Sequence, residues 1–292
     1  MLNKTLKIAI ASGKGGVGKS MLASSLALLF GKHYTTIALD CDVDAPNLNL
    51  WLGQTNEWQE IQKISISEKP IIDTKKCIGC GKCIQACRFS ALRLVNKKSK
   101  LIPFLCEGCG LCEIVCPQKA IELKPVKNGE VKFKQINQKL KLFSGQLYPG
   151  ETGSGKIVDA IKAKAEKHKA QIIIIDSAPG TGCPVIASLQ NTDYTILVTE
   201  PTPSSLTDLE RVLKIIKHFR IPYQIIINKW DINKVFSEII KQKFKNNFLG
   251  KISYDQKIFQ SISNLKPILK TNLKSKKEII KIFKEINLWL GL

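Results

Sequence analysis

One glycine-rich loop, "GKGGVGKS" from Gly13 to Ser20, constrains the fold of this chain more than any other stretch. The apolar residues 5–11 before it predict a buried strand, and Met21 to Phe30 after it predict a helix. The spacing G-x-x-x-x-G-K-S between a strand and a helix is the P-loop pattern. Backbone N–H groups of such a loop bind phosphate oxygens, Lys19 can reach the β and γ phosphates, and Ser20 can ligate Mg²⁺. The predicted nucleotide-binding residues here are Gly13, Gly15, Gly16, Val17, Gly18, Lys19 and Ser20.

Acidic residues follow two further apolar runs. "TTIALDCDVDAP" leads into Asp40, Asp42 and Asp44, and "QIIIIDSAPG" leads into Asp176. Continuous apolar strands are typical of a parallel sheet, and the carboxyl ends of such strands line the ligand crevice of a doubly wound fold. We therefore predict an α/β fold with a doubly wound, mostly parallel sheet. We expect Ser20, Asp40 and Asp176 to form a magnesium site at the carboxyl edge of that sheet.

A second loop, "GETGSGKI" from Gly150 to Ile157, repeats the glycine and lysine spacing of the first. Ile157 stands where a P-loop has its magnesium-binding hydroxyl, and no strongly apolar strand immediately precedes the loop. We expect only a loop that enters a helix over Ile157 to Ala165.

Four stretches together carry a resemblance to a known family: "KGGVGKS", "DCDVDAPNL", "DSAPG" and "VTEPTPSSLTD". They resemble the MinD/ParA class of deviant Walker A ATPases, P-loop NTPases of the SIMIBI type that include the nitrogenase iron protein and the Mrp-like cluster carriers. The resemblance covers residues 1–50 and about 155–292. It implies a homodimer that closes face to face on two ATP molecules, with Lys14 crossing to the partner's phosphates and Asp42 orienting the attacking water. The catalytic residues that it implies are Lys14, Lys19, Asp42 and Asp176, with Pro201 in a nucleotide-side loop.

The stretch "IIINKWD" from Ile225 to Asp231 follows another predicted strand and bears on the choice of base. The family resemblance implies that Asn228 lies against adenine. Asn228, Lys229 and Asp231 also spell N-K-x-D, a guanine-reading pattern of GTPases, because a carboxylate can accept from the N1 and N2 groups of guanine. The family background favours ATP and Mg²⁺ as cofactors, with GTP as the alternative.

Eight of the ten cysteines fall in two runs of C-x2-C-x2-C-x3-C, displaced by 29 residues. Glycines and alanines repeat at the same offset, which indicates an internal duplication. Such spacing lets three thiolates bind one cubane while the fourth reaches the other cluster. The predicted ligands are Cys77, Cys80, Cys83 and Cys116 for one [4Fe-4S] cluster, and Cys87, Cys106, Cys109 and Cys112 for the other. Zinc is the alternative, although its sites usually pair two C-x2-C knuckles across a longer gap.

The cysteine runs interrupt the predicted nucleotide-binding fold. We predict a P-loop domain over 1–69 and 126–292, with a small α+β domain of the bacterial ferredoxin type inserted over 70–125. The segments Glu57 to Lys69 and Lys124 to Lys141, rich in lysine, asparagine and glutamine, are predicted to be connectors. The whole chain then resembles the MinD-superfamily ATPases that contain an inserted ferredoxin domain.

Two cysteines and the C-terminal segment leave alternatives open. Cys183 resembles in position a ligand of the subunit-bridging cluster of the nitrogenase iron protein, and Cys41 is the other spare thiol, so they predict either a third cluster or two buried thiols. The segment 276–292 has an apolar face opposite lysines, which is typical of a membrane-binding amphipathic helix and also of a terminal helix packed on the sheet.

The formal charge of +21 comes almost entirely from lysine, since the chain has arginine only at positions 88, 93, 211 and 220. Base and phosphate readers favour arginine, so nucleic acid is a poor prediction, and a basic surface can instead attract an acidic redox partner. No apolar run reaches the roughly 18 to 20 residues of a membrane span, and no signal peptide precedes the glycine-rich loop, so we expect a cytoplasmic protein.

These features lead to three hypotheses. The first is a dimerising ATPase whose ATP binding and hydrolysis gate electron transfer through two [4Fe-4S] clusters to an unidentified acceptor. The second is an ATP-dependent carrier or assembly factor for iron-sulfur clusters. The third is a MinD/ParA-like positioning protein with redox state as its input.

Overall fold

The computed structural model describes residues 4–292, which divide into two compact units. The first unit contains the chain up to Ile61, together with Val131–Gln146 and Ser154–Leu292. The second unit contains Gln62–Glu130 and Leu147–Gly153. The first three residues of the predicted P-loop domain lie outside the described part.

The strands are β1 (Leu6–Ser12), β2 (Thr36–Cys41), β3 (Glu60–Ile64), β4 (Ser67–Ile72), β5 (Leu92–Val95), β6 (Lys98–Leu101), β7 (Ile121–Val126), β8 (Gly129–Gln135), β9 (Leu140–Leu147), β10 (Ile172–Pro179), β11 (Tyr194–Thr199), β12 (Tyr223–Asn228) and β13 (Phe248–Ile252). The helices are α1 (Lys19–Phe30), α2 (Leu48–Trp51), α3 (Lys82–Ala86), α4 (Leu111–Ile114), α5 (Ser154–Glu166), α6 (Cys183–Leu189), α7 (Pro203–His218), α8 (Lys234–Lys243), α9 (Lys257–Ser263) and α10 (Lys274–Leu290). Short 3-10 helices lie at Pro103–Leu105, Lys245–Asn247 and Ile268–Lys270.

The main sheet has the strand order β13-β12-β11-β1-β10-β2-β9-β8-β3. The strands from β13 to β9 in that order pair in parallel. Their side chains are buried along nearly the whole length of β2, β10 and β11, as expected for a sheet covered on both faces. The prediction of a mostly parallel α/β sheet is confirmed. Because β1, β10 and β2 are parallel, the loops that follow them leave the same edge of the sheet. The strand order reverses beside β1, which is where such sheets bind ligands.

Several local predictions differ from the structure. Helix α1 begins at Lys19 and α5 at Ser154, two and three residues earlier than predicted, because both helices begin at the glycine-rich turn itself. A strand that the sequence did not predict, β9, lies before the second glycine-rich loop and pairs with β2, although it is not the strongly apolar strand that a P-loop would have immediately before it. Leu140, Leu142 and Phe143 of β9 are buried, but a lysine and small polar residues interrupt their pattern.

The segments predicted to be connectors are also largely strands. β3 and β4 lie within the first segment or overlap it, and β7 and β8 overlap the second. β3 is exposed along most of its length and lies at the outer edge of the sheet, where lysine and glutamate are tolerated. Backbone hydrogen bonds hold such an edge strand in the sheet, and few of its side chains are buried. An apolar pattern therefore does not mark it in the sequence.

Helix α10 packs into the apolar core of the first unit, to which it belongs. Ile279, Ile282, Phe283 and Ile286 are buried in the same apolar cluster as α1. The ring of Phe283 meets that of Phe30 edge-on, with centroids 4.8 Å apart. The apolar face of the segment 276–292 is therefore used in packing, which favours the second of its two interpretations. Across the described residues, no helix has both the length and the apolar content that a membrane span requires.

The second unit consists of two antiparallel strand pairs, β4 with β7 and β5 with β6. Helices α3 and α4 begin 29 residues apart, as do β5 and β7, so the structure repeats with the offset of the cysteine runs. Two main-chain hydrogen bonds join the halves at equivalent places, from Asp73 N–H to the Ala120 carbonyl at 2.8 Å and from Ile102 N–H to the Ala91 carbonyl at 2.7 Å. The internal duplication is thus visible in the backbone.

Candidate functional site

The glycine-rich loop connects β1 to α1 with a backbone that glycine requires. Gly16 and Gly18 have φ of 77° and 95°, and a Cβ on Gly18 would lie 2.3 Å from Nδ2 of Asn228. No side chain caps the N-terminus of α1, so its first N–H groups remain open to a ligand. Lys19 is buried at the start of this helix. The loop therefore presents N–H groups and one buried ammonium to a single region, which suits the phosphates of a nucleotide.

Asp176, on β10, is the acid of this edge that is best suited to a cation. It is buried, and neither of its carboxylate oxygens has a hydrogen-bond partner in the described part of the chain. Burial raises its pKa to about 7, while the charge of Lys19 acts in the opposite direction. A buried carboxylate without partners is costly unless a ligand such as Mg²⁺ satisfies it.

Asp40 and Asp42 differ from Asp176 in what they contact. The carboxylate of Asp40 accepts the N–H groups of Leu48 at 2.9 Å and Asp42 at 3.3 Å, so it holds its own loop in place. Burial and the nearby charge of Asp176 raise its pKa well above the usual range. Asp42 is half-buried, and burial raises its pKa against the opposing charge of Lys19. The geometry fits Asp176 to Mg²⁺ better than Asp40, and leaves Asp42 facing the ligand.

A cavity of about 310 Å³ lies over the loop and extends away from it. Its lining residues are Gly15, Gly16, Gly18, Lys19, Ser20, Met21, Asp42, Asn47, Trp51, Asn228, Lys229, Ser253, Tyr254, Asp255, Ile258 and Phe259. The segment Ser253–Phe259, which follows β13, and Trp51 were not identified from the sequence. Their aromatic rings provide the apolar surface that a base requires, but nothing in their local pattern distinguishes them from other loop residues.

Asn228 and its neighbours fasten this end of the cavity to the loop. Asn228 Nδ2 donates to the Val17 carbonyl at 2.8 Å, and Lys229 Nζ donates to the Gly16 carbonyl at 3.2 Å. Asp231 is not among the lining residues, and its Oδ1 accepts the N–H of Tyr254 at 2.8 Å. The asparagine therefore touches the cavity, whereas the aspartate of the N-K-x-D pattern positions the loop after β13.

Glu200 is a further residue that the sequence did not single out. Its carboxylate lies 3.7 Å from Nζ of Lys14 and also pairs with Lys229. Both lysines belong to the nucleotide side of the fold, so Glu200 holds two cations beside the loop. Pro201, the next residue, is buried in the turn before α7 and is not among the residues that line the cavity.

The loop after β10 is joined to the glycine-rich loop. The N–H of Gly180 donates to the Ser12 carbonyl at 3.0 Å, and the Ser12 hydroxyl donates to the Lys14 carbonyl at 2.7 Å. Gly180 has φ of 89°, which a side chain would strain. A change at the phosphates can therefore reach the loop that follows Asp176 through two hydrogen bonds.

In the second unit, the eight cysteines of the two runs line two cavities, four in each. Site I is the cavity lined by Cys77, Cys80, Cys83 and Cys116. Site II is the cavity lined by Cys87, Cys106, Cys109 and Cys112. These are the two groups into which the spacing divides the cysteines. Among the described residues, no three acidic, histidine or cysteine side chains converge closely enough to hold a single metal ion.

Backbone N–H groups point at the sulfur atoms. Ala91 donates to Sγ of Cys87 and Ala120 to Sγ of Cys116, both at 3.3 Å. Burial raises the pKa of Cys112 to about 11, although the N–H of Glu113 acts in the opposite direction. N–H donors to sulfur are typical of cluster-binding thiolates, whose charge they stabilise.

The two remaining cysteines do not form a pair. Cys41 lies within β2 with no exposed surface, and burial raises the pKa of its thiol. Cys183 is exposed at the start of α6. A bridging cluster needs two accessible thiolates from each subunit, so the burial of Cys41 argues against the third cluster and for a small buried thiol at that position.

Comparison with known proteins agrees with this geometry. The family model of the CobQ/CobB/MinD/ParA nucleotide binding domain matches residues 8–268. An uncharacterized protein of Methanocaldococcus jannaschii is 42% identical over 236 residues, which cover 79% of this chain and 80% of that protein. The iron-sulfur cluster carrier protein of Pyrococcus horikoshii is 25% identical over 268 residues, which cover 86% of this chain and 75% of that protein.

Among solved structures, the septum site-determining protein MinD of Pyrococcus horikoshii, complexed with Mg-ADP, superposes with a TM-score of 0.62. The match covers 99% of this chain and 98% of that one at 18% identity, and therefore shows a shared fold. The glycine-rich loop, the acidic strand ends and the parallel sheet all lie within the range that the family model matches. The chain therefore belongs to the CobQ/CobB/MinD/ParA family of P-loop nucleotide-binding proteins.

Proposed function

We propose that this protein is an ATP-dependent iron-sulfur protein, in which a dimerising ATPase gates electron transfer through two [4Fe-4S] clusters to an acceptor protein. The observation that carries the proposal is the coexistence, in one chain, of a P-loop cavity, of the buried Asp176 carboxylate on the neighbouring strand β10, and of two cavities lined by four cysteines each. The inserted ferredoxin domain, over about 70–125, is part of this proposal.

The nucleotide side rests on family membership and on the residues that face the cavity. Loop N–H groups and Lys19 hold the phosphates, Ser20 and Asp176 hold Mg²⁺, and Asp42 orients the attacking water. Neither oxygen of the Asp176 carboxylate accepts a close hydrogen bond within residues 4–292, and Lys19 and Ser20, the other residues of this proposed site, are the groups near it that lower its pKa, which supports its role. Members of the MinD/ParA group are ATPases, so hydrolysis of ATP is the expected chemistry.

The contacts of Asp231 support ATP over GTP. A guanine-reading aspartate must present both carboxylate oxygens to the base, but one oxygen of Asp231 accepts the Tyr254 N–H at 2.8 Å. Asn228 lines the cavity, where its amide donates to the Val17 carbonyl and its Oδ1 accepts the N–H of Lys229 at 3.0 Å. Binding of ATP at least tenfold tighter than GTP is the expected result, and preference for GTP would contradict this assignment.

Two [4Fe-4S] clusters fit the cysteine cavities better than zinc does. A zinc site brings four ligands to within about 2.3 Å of one ion, whereas the described thiols do not converge in that way. They instead surround cavities, with N–H donors directed at Cys87 and Cys116. When bound, such clusters would supply one-electron redox chemistry, and the residues around them would tune its potential.

Coupling between the two activities is proposed from the order of the chain. The acidic loop after β2 precedes the second unit and Asp176 follows it, so both loops that respond to the γ-phosphate flank the insertion. Couplings between sites are typically about 1 to 3 kcal/mol. One charge moved through 100 mV is worth about 2.3 kcal/mol, so ATP could shift a cluster potential by roughly 40 to 130 mV.

The test is an anaerobic reconstitution of the full chain, followed by an iron count and a redox titration with and without ATP. We expect about eight irons per chain and a potential that changes with ATP. Lys19→Ala, which removes the buried ammonium, should lose ATP hydrolysis by about 10²- to 10³-fold and should lose the shift while keeping its iron. Lys32→Ala, at an exposed lysine just beyond α1, is the matched control. Identical potentials with and without ATP would contradict gating.

A second candidate is an ATP-dependent cluster carrier. It is favoured by the likeness to proteins named iron-sulfur cluster carrier protein from three Pyrococcus species. Release of iron to an apo-acceptor on addition of ATP would favour this function, whereas clusters that stay bound through many turnovers would favour electron transfer.

A homodimer that forms on ATP is the proposed assembly, with Lys14 crossing to the partner's phosphates. In the described monomer Lys14 pairs with Glu200 of its own chain, 3.7 Å away, which is a contact that dimerisation would have to replace. Light scattering with ATP and with ADP tests this point, and a monomer under both conditions would contradict it.

A further inference from the structure

We propose that the two cysteine sites differ in reduction potential, with site I the higher and site II the lower, because different charges stand at equivalent positions around them. This inference rests on the proposed function, since it requires a [4Fe-4S] cluster at each site. A reduced cluster carries one more negative charge than an oxidised one, so nearby cations raise its potential and nearby anions lower it.

The backbones of the two sites are nearly equivalent, which isolates the effect of the side chains. The N–H donors to Cys87 and Cys116 have the same length, 3.3 Å. Gly79 and Gly108, one in each run, have φ of 72° and 68°, and a Cβ on either would collide with a carbonyl oxygen of the opposite half. Differences in potential must therefore come mainly from the substituted positions.

The two sites differ most clearly at one pair of equivalent positions on the rims of their cavities. Ile78 lines site I, and Glu107, 29 residues later, lines site II. No charged side chain lines site I within the described part of the chain. Glu113 adds a second anion near site II, because its carboxylate accepts the N–H of Leu123 at 3.2 Å, and Leu123 lines that cavity.

Two equivalent lysines reinforce the difference. Lys98 donates to the carbonyl of Cys77 at site I, and no carboxylate pairs with it among residues 4–292. Its counterpart Lys69 is buried, but its ammonium lies 2.6 Å from the carboxylate of Glu151. Site I thus has an uncompensated cation beside it, whereas the corresponding cation near site II is neutralised.

The exposed charges of the two runs mostly favour the same order of potentials, with site I the higher. Lys75, Lys76 and Lys82 lie in the first run, against one acid, Asp73, while residues 102–116 of the second run contain no lysine or arginine. Arg88, which follows Cys87, opposes this order at site II. Arg88 and Glu107 are both exposed, so solvent and salt screen these two opposite charges alike and more than they screen the partly buried Lys98 and Glu113, which favour the proposed order.

This order of potentials sets a direction for electron transfer through the second unit, from site II to site I. With a cluster at each site, an electron delivered to site II by a one-electron donor protein would move to site I, with no bond or proton changing. Cys80 and Lys82 of site I are exposed, so an acceptor protein could approach that site from solvent.

The experiment is a redox titration of the reconstituted full chain, followed by electron paramagnetic resonance, on the wild type and on charge variants. Two separable one-electron waves are expected. Glu107→Gln should raise the lower wave alone, and Ile78→Glu should lower the upper wave alone, with Ile78→Gln as its uncharged control. Glu151→Gln, which releases the charge of Lys69, should raise the lower wave in the same way as Glu107→Gln.

The outcomes separate this inference from the function on which it rests. Fewer than about eight irons, or zinc in their place, would refute the two clusters themselves. Eight irons with a single shared potential, or with Glu107→Gln moving the upper wave, would overturn the order while leaving the clusters intact. The iron content of each variant is measured first, and potentials are compared only between samples of equal iron content. A substitution that merely disturbs the fold therefore shows itself as a lower iron count, whereas a change of charge shows itself as a shifted potential.

Discussion

The two units of this chain hold their sites by different physical means. In the first unit a large apolar cluster surrounds the strands, with side chains of β1, β10, α1 and α10 fully buried. In the second unit the apolar cluster has three buried side chains, Cys83, Leu92 and Ile121, and one of these is itself a predicted ligand. The nucleotide site is thus built on a core that can form without its ligand, whereas the cysteine sites are close to being the core of their own unit.

This contrast has a thermodynamic meaning. Burial of a large aliphatic side chain contributes about 1.5 to 3 kcal/mol, so the first unit has ample stabilisation from packing. A unit of about 70 residues with so few buried side chains normally needs metal, disulfides or a partner. The second unit should therefore depend on its clusters for folding, and the first should not.

Removal of iron is the most severe test of the contrast. In chain stripped of iron by a chelator under anaerobic conditions, amide exchange should become fast across residues 73–121 and remain slow in β10, because only the second unit loses its main stabilising contacts. Hydrogen-exchange mass spectrometry of both forms measures this directly. Slow exchange of residues 73–121 without iron would show that packing alone maintains the second unit.

Glycine substitutions sharpen the comparison within the second unit. Gly79 and Gly81 both have positive φ, 72° and 77°, so an added Cβ strains each backbone by about 1 to 2 kcal/mol. At Gly79 the Cβ would also lie 2.1 Å from the Lys97 carbonyl oxygen, whereas at Gly81 it would meet nothing within 4 Å. We expect Gly79→Ala to lose most of its iron and to melt at a much lower temperature, and Gly81→Ala to keep its iron and to lose only the stability that its backbone strain costs. Equal behaviour of the two variants would contradict the collision.

The buried Asp176 should make the free energy of unfolding of the first unit depend on pH, which gives a test of that unit. Its pKa is about 7 in the folded chain and 3.8 in an ordinary aspartate, so between these values the folded chain keeps a proton that the unfolded chain has lost. The free energy of unfolding without ligand should therefore fall as pH rises from about 4 to 7. Asp176→Asn should weaken this dependence, to which the raised pKa values of Asp40 and Asp42 still contribute, and should be more stable than the wild type at pH 8 by roughly 1 to 3 kcal/mol.

Denaturant titrations at pH 5 and pH 8, without nucleotide or Mg²⁺, measure that difference. Addition of Mg²⁺ and ADP should stabilise the wild type at pH 8 and should affect the variant much less, because the carboxylate that would hold the cation is gone. A variant with the same pH slope as the wild type would show that Asp176 does not carry the buried charge.

Much of this arrangement could be predicted from local sequence, and the rest depends on contacts between distant residues. The strand, loop and helix around Gly13–Ser20 follow from spacing and apolar runs, and the grouping of the cysteines follows from their offset. The sequence predicts connectors at the edge strand β3 and at its neighbour β8 because both strands carry lysine and glutamine among few apolar residues. The segment Ser253–Phe259 reaches the cavity only through the pairing of β12 with β13, which no local pattern encodes.

The role of Glu200 also depends on contacts between residues that are distant in sequence. Its substitution gives the smallest effect that we expect. Its carboxylate lies 3.7 Å from Lys14 and also pairs with Lys229, but Lys14 is 36% exposed, so the contact with it is worth about 0.2 to 1 kcal/mol. Glu200→Gln should release Lys14 and make the ATP-dependent dimer about two- to fivefold tighter, as measured by analytical ultracentrifugation. The double variant Lys14→Met Glu200→Gln should show no such gain, since the lysine that benefits is absent. A tighter dimer in both variants would trace the effect to Lys229 instead, and would leave Lys14 without a restraint from its own chain.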